Sequence, residues 1–150
     1  MNISRRIRTS FAAAALVAGS LTGVVSAAAP ASASGASCPS GWIWHGTPQD
    51  FYDGSGRLAA IGYVYGYSWG GCAYLVAQGI YSGMYKWMDV QIESDTGQVG
   101  YDGGHYYYYA GPVSASSSSV GDQCMTVWYD MQNSAGNRIV QWSGLGTPCD

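Results

Sequence analysis

The 150-residue sequence carries little charge: Asp, Glu, Lys and Arg together make up 10% of it, and Lys and Arg number only six. Three of those six, Arg5, Arg6 and Arg8, cluster near the N-terminus, so residues 34–150 keep Arg57, Lys86 and Arg138 against all nine acidic residues. Such a chain has too few cations to neutralise a run of phosphates, which argues against nucleic acid or an anionic lipid surface as a partner. Histidine is equally scarce, with His45 and His105 the two in the chain. Neither falls in a catalytic motif, and there is no G-x-S-x-G elbow, H-E-x-x-H zinc helix, phosphate loop or calcium loop. No cofactor is expected. The four cysteines are at least 25 residues apart, which excludes the closely spaced ligand pairs of a structural zinc site. No stretch sustains helical periodicity.

What is present begins with an export signal. The basic start runs into an apolar stretch over residues 11–25, followed by small-residue cleavage sites at Val25-Ser26-Ala27 and Ala31-Ser32-Ala33. Gly19, Ser20, Thr22 and Gly23 interrupt that stretch, which falls short of the roughly 20 apolar residues of a permanent span. Residues 1–33 are therefore read as a signal peptide and processing region, and residues 34–150 as a single secreted β domain without a transmembrane anchor.

An even number of cysteines in an oxidising compartment implies structural disulfides. Of the three pairings open to Cys38, Cys72, Cys124 and Cys149, Cys38–Cys72 with Cys124–Cys149 is favoured because each bridge closes a local unit. A hairpin turning at Ser134 and Ala135 sets Cys124 across from about Leu145, within reach of Cys149.

The full sequence holds 22 glycines, 13 tyrosines and 6 tryptophans, and every Tyr and Trp lies in residues 34–150. Glycine-rich turns separate short segments rich in β-branched and aromatic residues, the composition of twisted sheets. Seven or eight strands are expected, forming a disulfide-bonded antiparallel β-sandwich or barrel. Alternation is clearest over residues 86–93, where Met88, Val90 and Ile92 point one way and Trp87, Asp89, Gln91 and Glu93 the other. Asp102-Gly103-Gly104 reads as a turn, and residues 105–110 as an aromatic strand containing Tyr106, Tyr107, Tyr108 and Tyr109. Alternation sends Tyr107 and Tyr109 to one face and Tyr106 and Tyr108 to the other. Either these rings fill a half-buried sheet surface, or they form with Trp87 an exposed strip that stacks on sugar rings or on another protein.

Paired carboxylates could in principle support glycoside hydrolysis, but Asp53, Asp95, Asp102 and Asp122 lie at glycine turns, where Asp caps its own loop. Asp89 and Glu93 on one strand face would stand about 14 Å apart, too far for either glycosidase geometry.

Tyr106-Tyr107-Tyr108-Tyr109-Ala110-Gly111-Pro112-Val113, followed by Gly121-Asp122-Gln123-Cys124-Met125, resembles the hallmark of the actinobacterial spore-associated protein A family. Cys38-Pro39-Ser40-Gly41-Trp42, Gly71-Cys72 and Lys86-Trp87-Met88-Asp89-Val90 are similar in kind, so the resemblance runs from Cys38 to about Trp128. It implies a small secreted β protein found with spores or aerial hyphae, and it implies no catalytic residues. The expected function is thus a non-catalytic cell- or spore-surface protein, with cell-wall or spore-coat components as partners. Two alternatives stand beside it. One is a carbohydrate-binding module presenting Trp87, Tyr107, Tyr109 and Trp69; the other is an inhibitor of an extracellular hydrolase, projecting the loop Ser68-Trp69-Gly70-Gly71.

Overall fold

The computed structural model describes residues 36–40, 43–44, 48–67, 70–117 and 124–146. These form nine strands: β1 (Ile43–Trp44), β2 (Gln49–Tyr52), β3 (Leu58–Tyr67), β4 (Gly70–Ala77), β5 (Lys86–Ser94), β6 (Val99–Tyr106), β7 (Tyr109–Ser116), β8 (Met125–Gln132) and β9 (Arg138–Leu145). A short 3-10 turn, Gly79–Tyr81, follows β4. The first sheet runs β1-β3-β4-β7 with β2 also paired to β3, and the second runs β6-β5-β8-β9. Because β1 and β2 take opposite ends of the same edge of β3, nine strands fill eight positions. All pairings are antiparallel. The two sheets pack as a sandwich.

The sandwich closes by size complementarity. The second sheet sends in Met88, Val90, Ile92, Met125, Val127, Tyr129 and Met131, all essentially inaccessible, while the first supplies mainly Ala60, Ala73, Leu75, Ala77, Ala110 and Ala115. Each large apolar side chain buried this way contributes about 1.5–3 kcal/mol. Glycines in the first sheet make the room: a Cβ on Gly62 would lie 2.7 Å from the Tyr129 ring, and one on Gly71 would lie 2.7 Å from Ile92. The Tyr129 hydroxyl then reaches across and donates to the Tyr63 carbonyl at 3.0 Å.

Three hairpins share one turn design. Loops 53–57, 94–98 and 133–137 connect β2 to β3, β5 to β6 and β8 to β9. In each, the first residue's N–H donates to the fifth residue's carbonyl, and the fourth residue, a glycine, donates back to the first. Those glycines, Gly56, Gly97 and Gly136, have φ of 79°, 77° and 79°, the left-handed region that glycine enters without steric cost. Asp53, Ser94 and Asn133 each accept, through the side chain, the N–H of the fifth residue.

Three expectations are corrected. Asp102-Gly103-Gly104 is not a turn: it lies inside β6, which pairs with β5 without interruption from Val99 to Tyr106. The glycines persist in the strand because the rings of Tyr101 and Tyr106 fold over Gly103 and Gly104, filling the space side chains would occupy. The tyrosine run is not one strand either. Tyr106 ends β6, Tyr107 and Tyr108 form the bend between the sheets, and Tyr109 begins β7, so simple alternation does not apply to them. Asp102, facing the sandwich seam, accepts hydrogen bonds from the Tyr106 hydroxyl at 2.5 Å and the Gly111 N–H at 2.6 Å. Farther along the seam, near the start of β6, a Cβ on Gly100 would run into the Ser114 backbone, so there β6 and β7 approach main chain to main chain. Finally, the five-residue loop 133–137 and the bulge at Met131 and Gln132 each shift the last hairpin by one residue, placing Thr126, not Cys124, opposite Leu145.

Cys38 and Cys72 are bridged as expected. Cys124 is also disulfide-bonded; Cys149, the partner expected for it, lies outside the described residues. No helix among the described residues is long and apolar enough to cross a membrane.

Candidate functional site

Strand alternation gives the second sheet one dry face and one open face. On β5, Lys86, Met88, Val90, Ile92 and Ser94 are buried, whereas Trp87, Asp89, Gln91 and Glu93 are half-buried on the outside. The register then assembles that outer face in rows. Trp87 lies opposite His105; Asp89 lies between Gly103 and Asp130; Gln91 lies between Tyr101 and Trp128. Beyond β8, Gln141 and Ser143 of β9 extend the rows past Asp130 and Trp128.

At one end of this face four rings form a continuous cluster. Trp87 meets His105 edge-on with centroids 5.4 Å apart, His105 stacks on Tyr85 at 5.2 Å, and Tyr85 meets Tyr107 at 5.1 Å. Tyr85 and Tyr107 remain 55% and 49% exposed, so about half of their surface faces solvent. Lys86 lies beneath them, 1% exposed. Its ammonium donates to the Met84 carbonyl at 3.0 Å and the Tyr107 carbonyl at 2.9 Å. The Tyr107 carbonyl also accepts the Gly83 N–H. Lys86 thus ties the segment bearing Tyr85 to the bend bearing Tyr107. Removal from water, with no carboxylate partner among these contacts, pushes its pKa down to about 8.

Next to the cluster is a groove of about 440 Å³ lined by Asp89, Gln91, Trp128, Asp130, Gln141 and Ser143, among others. Asp89 and Asp130 are direct cross-strand partners. Arg138 forms its ion pair with Asp130: its Nε lies 2.6 Å from Asp130 Oδ2, and its Nη1 donates to Gln141 at 3.0 Å. Asp89 accepts the Trp87 indole N–H at 3.1 Å, which also couples the groove to the ring cluster. Burial, then the nearby Asp130 charge, raise the Asp89 pKa, with the indole hydrogen bond and Arg138 opposing. The two carboxylates project side by side from one sheet face. Among the described residues no group of three or more His, Cys, Asp and Glu could hold a metal ion.

Of the four residues expected to form a ligand surface, Trp87 and Tyr107 are brought into one cluster. Tyr109 is not: it is half-buried in β7, paired with Val76 in the first sheet. Trp69, with the loop expected to serve an inhibitor, and His45 lie outside the described residues. His105 is a surface residue, as expected, but within a strand. Sequence reasoning missed Tyr85, Tyr101, Trp128, Asp130 and Gln141. Trp128 and Asp130 were legible as same-face neighbours on β8; their position beside Gln91 and Asp89 depends on a strand pairing separated by some 40 residues, which alternation does not encode.

No family model, no curated protein and no solved structure matches this chain.

Proposed function

We propose that this is a secreted, non-catalytic surface protein that attaches to a cell wall or spore coat by binding glycan on the outer face of the β6-β5-β8-β9 sheet. The observation that carries the reading is the continuity of the exposed ring cluster with the polar groove. Aromatic faces supply apolar contact to sugar rings, and carboxylate and amide side chains beside them accept and donate hydrogen bonds to hydroxyls. The export signal and the resemblance to spore-associated proteins supply the setting. An inhibitor reading rests on the loop at Trp69 and has no support from the described residues.

The test is retention on insoluble chitin, cellulose and peptidoglycan. Wild-type protein is expected to sediment with at least one of them. The triple variant Tyr85→Ala, Trp87→Ala, Tyr107→Ala should stay in the supernatant while keeping the wild-type circular dichroism. A wild-type protein retained on none of the three, or a triple variant retained as well as wild type, would overturn the proposal.

A further inference from the structure

The groove has an unusual charge balance. Every basic side chain of residues 34–150 is already engaged: Arg57 pairs with Asp53 at 2.8 Å, Arg138 with Asp130 at 2.6 Å, and Lys86 is buried against two carbonyls. The one cation beside the groove, Arg138, is already paired with Asp130, and Asp89, Asp130 and Glu93 outnumber it on this face, which disfavours a phosphate, sulfate or uronate. A neutral sugar can meet these carboxylates through hydroxyl donors but offsets none of their charge. Covering Asp89 with an uncharged ring would strip water from a carboxylate whose only described side-chain donor is an indole N–H. A cation removes that cost. Aromatic rings, which an ammonium favours, are also at hand: the Trp128 indole lines the groove, and the Tyr101 ring folds over Gly103 next to Asp89.

Resting on the glycan reading above, we infer that the groove takes a polysaccharide bearing protonated primary amines, a glucosamine-type unit whose ammonium pairs with Asp89. Asp130, held by Arg138, then serves the ring hydroxyls together with Gln91 and Gln141. The specificity lies in one contact: an N-acetylated unit presents a neutral amide where Asp89 requires a cation, and it adds an acyl group in the same space.

The experiment compares β-1,4-linked glucosamine oligomers with the same oligomers fully N-acetylated, by calorimetry on the full secreted chain at two salt concentrations. A second arm uses peptidoglycan before and after chemical N-deacetylation, which separates a wall source from a chitin-like one. Glucosamine oligomers are expected to bind about tenfold more tightly, the scale of one charge-assisted hydrogen bond, and to weaken with salt. Asp89→Asn should erase the difference by weakening the glucosamine oligomers about tenfold. If Asp89→Asn does not fold, Gln91→Lys, which places a competing cation in the groove and removes one hydroxyl partner, should weaken both oligomers and the glucosamine one more, so that the roughly tenfold difference is lost. Equal affinity for both oligomers, or preference for the acetylated one, overturns the amine inference and leaves the glycan reading standing. Binding of neither, together with no retention on the insoluble polymers, overturns both. Shortened oligomers after incubation overturn the non-catalytic reading and the inference with it.

Discussion

The ammonium of Lys86 and the carbonyl of Tyr107 meet at 2.9 Å beneath the exposed ring cluster, so a buried charge fixes the bend that carries a candidate ligand-binding tyrosine. The folded-state pKa of Lys86 is about 8, below the 10.5 of the free side chain. Below pH 8 the lysine is protonated in both states; between about 8 and 10.5 the unfolded chain binds a proton that the folded chain has released. Stability contributed by this group therefore rises with pH. From pH 7.5 to 9.5 the gain is about 2 kcal/mol. Urea unfolding across that window should show the rise in the wild type and not in Lys86→Met. The comparison stops short of pH 10, where tyrosines such as Tyr129, whose ionisation burial opposes, begin to act in the other direction.

Asp53 governs the acid side. Its carboxylate accepts the Ser55 and Arg57 N–H groups, the Ser55 hydroxyl, the Arg57 Nε and the Tyr81 hydroxyl, all within 3.0 Å. These donors, the Ser55 hydroxyl foremost, hold its pKa far below the ordinary carboxylate range. The stability it contributes is present above the unfolded pKa, near 4, and declines as pH falls toward the folded value. Asp53→Asn should lower the neutral-pH melting temperature and flatten its fall between pH 5 and 2. An unchanged acid limb would show that other carboxylates control acid unfolding.

The Cys38–Cys72 bridge ties residues near the start of the domain to a fully buried position in the first half of β4 across 34 positions. Loop closure of that length contributes about 3.5 kcal/mol. For a domain of this size the double variant Cys38→Ser, Cys72→Ser should melt on the order of 15 °C lower. A shift of only a degree or two would mean that the unfolded chain is already compact near these residues.

The sequence made the architecture legible wherever a local rule determined it. The span of β3 follows from its composition, and the two faces of β5 follow from alternation, because one face is dry and the other wet. It misled where tertiary contacts override a local signal. Gly103 and Gly104 read as a turn because glycine usually breaks a strand; here Tyr101 and Tyr106 supply the missing surface from two residues away. Four consecutive tyrosines read as a strand because tyrosine fits one; Lys86 and the Gly83 N–H instead pin the Tyr107 carbonyl in a bend. The recurrence of one loop chemistry in 53–57, 94–98 and 133–137 was present in the sequence as a polar residue followed three positions later by glycine, and it becomes obvious only when the three hydrogen-bond patterns are compared. The site was half legible: Trp87 and Tyr107 carry it, whereas Tyr85, Trp128 and Asp130 join them through cross-strand register.

Two glycines of β6 separate fold from site. A Cβ on Gly100 meets the oxygen and nitrogen of the Ser114 main chain, and neither can move without pulling β7 away from β6. Gly100→Ala should therefore destabilise the domain by about 2 kcal/mol or more, the range of overpacking against an unyielding neighbour. A Cβ on Gly103 meets chiefly the far end of the Tyr101 side chain, which is 56% exposed and free to swing outward. Gly103→Ala should leave the melting temperature within a few degrees of wild type while displacing Tyr101 from beside Asp89, so that glycan affinity falls without loss of fold. Equal destabilisation by both substitutions would show that Tyr101 is held in place by the fold rather than poised over the groove, and would remove it from the binding face.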